Sequence, residues 1–412
     1  MKEEDHIPTR EVKDYKNLSR SVVQNHAKTE LTKPKEHISK NMLDSFLKSH
    51  WISWIFHYLK SRFGPRHPFQ TYKESTDKGI YRLQSKNDSR EIKIALVADW
   101  ATDTVESRNI SRQIRKHDPD YSIHLGDTYF VGAPFEIKNN FSPGDSFWHY
   151  GSIGSFALPG NHEMYSNGNP YFDMLLPWMG IYQPERIIQK TSYFCLENPY
   201  WRIIGLDTGY RSVGLPIFEL LFSKADFKKE VILWLKNDLH IQEDNRGLVL
   251  LTHHQYISSF DKNYPRAAKQ LAKLISPDRK VLWLWGHEHR FSMYGNYAAP
   301  ASITAYGRCI GHGGMPVSLF KETWLKKIKE RGLVLFDNRV CKKIGNTDVG
   351  HNGYSILTIR NEELHMDYYD ESSLLVNEQW NYDKTSKTIV GKKATNYCSE
   401  LTQHQPICQV IQ

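Results

Sequence analysis

Five strand-like runs in this chain each stop at a residue able to bind a cation. They are VADW with Asp99, LGDTYF with Asp127, PGNHEM with Asn161, His162 and Glu163, LTHHQ with His253 and His254, and LWLWGHEH with His287 and His289. A short apolar run cut off by polar or glycine residues reads as a buried strand entering a loop. Helical patterns at Val105 to His117, Lys228 to His240 and Ala267 to Ile275 lie between the runs. That alternation predicts an α/β domain starting near Ile92. In open α/β sheets, side chains just beyond the carboxyl ends of strands converge on one crevice. Groups far apart in sequence can therefore meet.

The local spacing favours chelation. On an extended segment residues i and i+2 share a face, so His287 and His289 point together and Glu288 points away. By the same rule the neighbours His253 and His254 diverge, and one of them is the ligand. Gly126, Gly160 and Gly286 immediately precede three of the motifs, where the missing side chain permits a tight turn and close backbone approach.

Order and content of these motifs resemble the calcineurin-like metallophosphoesterase superfamily, whose pattern runs D, GD, GNH(D/E), H, GHxH. The likeness extends from Ile92 to about Tyr369, and GNHE and GHEH are its most specific parts. It implies a four-layer αββα sandwich with a binuclear metal site at the strand ends. One cation would take Asp99, Asp127 and His289, the other Asp127, Asn161, His253 and His287, with Asp127 bridging. The carboxylate and imidazole donor set suits Fe, Mn or Zn, and no cysteine lies in the motifs.

The first motif departs from the common DxH, because Ala101 stands at its third position. VADWAT instead resembles the ADWG of purple acid phosphatases, where a tyrosine three residues after the second motif's aspartate replaces that histidine. Here that position is Phe130, and Tyr129 is one residue early; it either reaches the metal through a shifted loop or walls the pocket. The resemblance implies hydrolysis of phosphate monoesters by a bridging hydroxide, on a small-molecule or phosphoprotein substrate. His162 would protonate the leaving group or stabilise transition-state charge, and Glu163 would orient it or a ligand. A phosphodiesterase or nuclease is the enzymatic alternative, and a catalytically weak interaction scaffold the non-enzymatic one. In RCIGHGGMPVS, Arg308 and His312 are expected either to contact phosphate or to belong to a glycine-requiring turn. Asp207 in GLDTGY is expected to be structural.

Composition bounds the rest. Of the 412 residues 40% are hydrophobic, enough for a sizeable core. The net charge of +8 is compatible with anionic substrates. Visible excess charge sits at Lys321 to Arg331 and Lys384 to Lys393, with no basic stripe interleaved with aromatics, so no nucleic-acid partner is expected. Five scattered cysteines without a CxxC pair suggest a reducing compartment. No secretory leader or membrane span is read, so a cytoplasmic location is expected, with non-classical export as the exception. Residues 1–64 read as a polar extension and an amphipathic helix, 65–375 as the catalytic domain and 376–412 as a weakly structured tail. The helix at 40–63 is expected to pack on the domain, its membrane association being the disfavoured alternative. The strands GLVLFD, YSILTI and LHMDYYD are expected to complete a second sheet.

Overall fold

The computed structural model describes residues 59 and 64–396, apart from 74–75, 87–90, 214–223, 299–302, 320–331, 345–346 and 387. The expected helix at 40–63 and nearly all of the amino-terminal extension lie outside the described residues.

Two mixed sheets face each other. The first runs Thr388–Asn396, Leu374–Asp383, Glu363–Asp370, Gly353–Arg360, Glu91–Val97, Tyr121–His124, Gly154–Ala157, Gly180–Ile181, Ile187–Ile188. The second runs Ile80–Arg82, Phe194–Glu197, Trp201–Gly205, Gly247–Thr252, Val281–Trp285, Thr304–Ile310, Phe291–Ala298, Leu333–Phe336. All the motif-bearing strands are in place. Glu91–Val97, Tyr121–His124 and Gly154–Ala157 pair in parallel, as do Gly247–Thr252 and Val281–Trp285. Their carboxyl ends therefore share an edge within each sheet.

Burial explains why these segments become strands rather than helices. The runs are short, rich in β-branched and aromatic residues, and apolar on both faces because each sheet is covered twice. Between the sheets, Ile94, Leu96, Ile123 and Phe156 meet Ile203, Val249, Leu251, Leu282 and Leu284. On the outer face of the second sheet, Val231, Trp234 and Leu235 from Lys229–Asn237 and Ala268 and Leu271 from Pro265–Leu271 cover Leu248, Leu250 and Trp283. On the outer face of the first, Ile110 and Ile114 from Val105–Lys116 and Ile137 and Phe141 from Pro134–Phe141 cover Ala95 and Val97. Thr104 caps Val105–Lys116 by accepting the Ser107 N–H. The layers are helix, sheet, sheet, helix.

Two expectations are corrected. YSILTI and LHMDYYD do not build the second sheet; as Gly353–Arg360 and Glu363–Asp370 they extend the first, antiparallel to Glu91–Val97. Only GLVLFD joins the second, as Leu333–Phe336. Nor does ordered structure stop at residue 375, because Leu374–Asp383 and Thr388–Asn396 form the outer hairpin of the first sheet. Trp380, Tyr382 and Ile389 from that hairpin enter the inter-sheet core.

Candidate metal centre

The five motif loops meet beyond the carboxyl ends of the central strands. Asp99 follows Glu91–Val97 and is fully buried. Its Oδ1 accepts the Tyr129 hydroxyl at 2.7 Å, its Oδ2 accepts the His287 backbone N–H at 2.8 Å, and His289 Nε2 lies 3.5 Å from Oδ1. Asp127, buried beyond Tyr121–His124, accepts the His162 backbone N–H at 3.0 Å. Its Oδ2 lies 3.2 Å from His253 Nε2 and 3.8 Å from His162 Nε2. Tyr129 touches Asp99, Asp127 at 3.1 Å and His289 Nε2 at 2.8 Å. It thus sits beside the residues that the resemblance assigns to one cation, reaching them from one position earlier than the purple-acid-phosphatase tyrosine.

Backbone conformation is unusual at the same residues. Asp99, Asp127 and His287 have φ of 54°, 70° and 66°, a region L-residues seldom occupy. Such conformations persist where the surrounding structure over-determines them, and they concentrate at functional sites. The glycines have a steric reason. A Cβ at Gly160 would lie 2.0 Å from Asp127 Oδ1, and one at Gly286 would lie 2.5 Å from Asp99 Oδ2.

Geometry at the two histidine motifs differs from the extended-strand expectation. The strands end at Thr252 and Trp285, and the chain bends through both motifs. His287 turns toward His253 and His254, with ring centroids 5.3 and 4.6 Å away, while His289 reaches Tyr129 at the other end of the cluster. Glu288 turns away, as expected, onto Ser258 at 2.7 Å. An extended segment sends His253 and His254 to opposite sides. The bend instead brings a ligand-capable nitrogen from each of His253, His254 and His287 within 4.8 Å of one another. His254 Nδ1 meets Thr208 Oγ1 at 3.1 Å.

Donor chemistry fits a cation. His253 Nδ1 is 3.0 Å from the Leu125 carbonyl, which assigns its proton there and leaves Nε2 facing a carboxylate oxygen. Two acceptors at 3.2 Å require positive charge between them. Burial opposes a proton on His253, but Asp127 outweighs burial and raises its pKa to about 9. Burial likewise pushes the Asp127 carboxyl up, and the charges of His253 and His162 hold it well below the usual range. His287, buried next to His253, is lowered to about 4 and is a neutral donor. Tyr129 has one proton to offer the Asp99 and Asp127 carboxylates, and burial beside them keeps its phenol protonated. Asn161 Oδ1 is buried without a hydrogen-bond partner, while its Nδ2 donates to Tyr165 at 3.2 Å. A buried carbonyl oxygen left unpaired is costly unless a cation or water satisfies it.

Residues 92–291 match the sequence profile of the calcineurin-like phosphoesterase family. These residues form a domain of that family. Among solved structures it is similar to GAP50, the anchor in the inner membrane complex of Plasmodium, at 13% identity, covering 72% of this chain and 91% of that one with a TM-score of 0.45. For PhoD the figures are 14% identity, 74% and 72% coverage and a TM-score of 0.48. For vacuolar protein sorting 29 of Cryptosporidium parvum they are 9%, 71%, 98% and 0.30. No curated protein matches the chain. No helix among the described residues is long and apolar enough to cross a membrane.

Of the remaining expected site residues, His162 and Glu163 adjoin the cluster. His162 Nδ1 meets the Phe130 carbonyl at 2.5 Å, which leaves Nε2 available, and its side chain is 21% exposed. Glu163 is fully buried and accepts the Gly160 and Asp127 backbone N–H groups at 2.7 and 3.1 Å. It clamps two motif loops together and does not touch the His162 ring. Arg308 and His312 are not phosphate contacts. Arg308 is buried in a bidentate pair with Glu378 at 2.6 and 2.9 Å, and His312 is buried with its ring stacked on Phe291. The glycine-dense turn serves close approach: Gly313 donates to the Ala98 carbonyl at 3.1 Å, and a Cβ there would lie 2.3 Å from that oxygen.

Asp207 accepts Ser192 Oγ at 2.5 Å and the Tyr210 N–H at 2.8 Å, a turn-holding role. Burial raises its pKa from 3.8 to about 6, against the lowering effect of those hydrogen bonds. A native pKa above the unfolded one means the native state binds more protons between these values, so stability falls as pH rises from about 4 to about 6. At 1.36 kcal/mol per unit the loss above that window is about 3 kcal/mol. Asp207→Asn is expected to remove that part of the pH dependence, measured as denaturation midpoints at about pH 4 and about pH 7.

Proposed function

We propose that this chain is a metal-dependent phosphomonoesterase of purple-acid-phosphatase-like type with a binuclear centre. What carries the reading is the convergence of Asp99, Asp127, Tyr129, His253 and His289, linked in one network by contacts of 2.7 to 3.2 Å, inside a domain of a phosphoester-hydrolysing family. Asp99, Asp127, Tyr129 and His289 would hold one cation, and Asp127, Asn161, His253 and His287 the other. Bound there, the cations would polarise phosphoryl oxygens and lower the pKa of water toward about 7.

The chain's own residues supply the rest. Asp127 presents one carboxylate between the two groups of donors. Glu163 fixes Asp127 and Gly160 through their backbone N–H groups, and Thr208 fixes the His254 ring against His287. His162 is the proton donor for the leaving oxygen: Phe130 orients its ring through Nδ1, and Nε2 is left to face the substrate. Neither Arg308 nor His312 contributes to substrate binding in this scheme.

Comparing p-nitrophenyl phosphate with bis(p-nitrophenyl) phosphate, on the same metal-loaded protein, tests the substrate class. Faster monoester turnover is expected; a faster diester would reassign the chain as a phosphodiesterase or nuclease.

A further inference from the structure

Outside the strand-end cluster, a second set of metal-ligating side chains converges from three separate segments. Cys341 directly precedes the strand Lys342–Ile344, His351 follows Thr347–Val349, and Glu371 directly follows Glu363–Asp370. Their donor atoms all lie within 4.8 Å of one another. We propose that Cys341, His351 and Glu371 form a mononuclear site for a zinc-type divalent cation.

Rigid backbone holds each donor. The Cys341 N–H donates to the Val349 carbonyl at 2.8 Å, and Gly350, just before His351, donates to the Val317 carbonyl at 3.0 Å. Glu371 Oε1 accepts the Asn352 N–H at 2.8 Å, and its Oε2 meets His351 Nδ1 at 2.9 Å. Cys341 Sγ lies 3.9 Å from Glu371 Oε1. Zinc–ligand bonds of 2.0 to 2.3 Å at tetrahedral angles put donors about 3.3 to 3.8 Å apart. The observed triangle needs side-chain shifts of about an ångström or less to reach that spacing.

Thiolate, imidazole and carboxylate together favour zinc over magnesium or calcium, and three protein ligands leave a fourth position for water. The set is reachable from solvent: Cys341 is exposed, and the His351 and Glu371 side chains are 23% and 25% exposed. A nucleophilic cysteine relay would use the same residue types in a different shape. There the sulfur faces only the histidine, with the carboxylate behind the ring. Here Glu371 reaches both partners, closing the triangle.

Cobalt titration of the full chain tests the site without relying on turnover. Thiolate ligation gives a sulfur-to-cobalt charge-transfer band in the near ultraviolet, which the strand-end cluster, having no sulfur donor, does not produce. Wild type is expected to show the band. Cys341→Ser is expected to lose it and to bind one equivalent less, and Glu371→Gln and His351→Ala to bind at that site at least about tenfold more weakly, all with unchanged circular dichroism. Absence of the band in wild type, its survival in Cys341→Ser, or unchanged cobalt affinity in both of the other variants would overturn the proposal.

Discussion

Asp127→Asn is expected to lower phosphoester turnover by about 10³-fold or more while leaving the protein folded. The estimate follows from several kcal/mol of charge stabilisation by bound cations, at 1.36 kcal/mol per tenfold in rate. The amide keeps an oxygen to accept the His162 N–H but cannot supply a carboxylate to both groups of donors. Stability should hold for an electrostatic reason. Neutralising Asp127 loses its pairing with His253, which then gives up its extra proton, but it also relieves repulsion with the buried Asp99 carboxylate, so the two effects offset. Metal content and turnover, measured together on protein with a native denaturation curve, check both halves. A variant that keeps its metals and its rate would show that Asp127 does not bridge them.

The largest expected effect on stability lies away from this site. Arg308, on Thr304–Ile310 of the second sheet, pairs with Glu378, on Leu374–Asp383 of the first, so the ion pair ties the sheets together across the core. Their side chains are 4% and 5% exposed. Arg308 also donates to the Tyr294 and Gly307 carbonyls, both at 2.6 Å, and Tyr368 donates to Glu378 at 2.9 Å. Burial opposes the guanidinium's charge, but the Glu378 carboxylate more than offsets it, so Arg308 stays ionised. Glu378→Ala strands that cation and is expected to cost about 3 to 5 kcal/mol, a large share of the roughly 5 to 15 kcal/mol that stabilises a typical domain. Arg308→Met combined with Glu378→Leu should recover most of the loss, because neither charge is then buried alone. Urea denaturation at constant m-value reads both. A loss below about 1 kcal/mol in the single variant would mean that water reaches the pair.

The two sites differ in how far a single sequence reveals them. The metal motifs are legible because each donor directly follows an apolar run, and the run's length and composition define where the strand ends. That logic sets the His253–His254 pair and the His287–His289 pair at strand ends, and the choice of His253 over His254 rests on the family resemblance. The turn geometry beyond the strands was not legible. An extended chain sends His254 away from the site, but the bend after Thr252 and the left-handed His287 bring both rings together. Tyr129 is one residue out of step with the family pattern, and only the folded loop puts its hydroxyl between Asp99 and His289.

Arg308 fails for a different reason. An arginine beside a glycine-dense turn suits phosphate, and its partner Glu378 is 70 positions away in a segment polar enough to read as a tail. That segment alternates buried and half-buried residues, as a strand with one face on the core must. Attention to period two, rather than to mean polarity, would have recovered the hairpin and with it a partner for the arginine.

The central claim is that the strand-end cluster hydrolyses phosphate esters only with cations bound. Its most direct test is p-nitrophenyl phosphate turnover by metal-free, folded wild-type protein before and after addition of Mn²⁺, Fe²⁺ or Zn²⁺. Turnover absent before and restored after by at least one of the three is the predicted result. No turnover of this monoester or of the diester with any of them would contradict the account and leave the domain as an interaction scaffold.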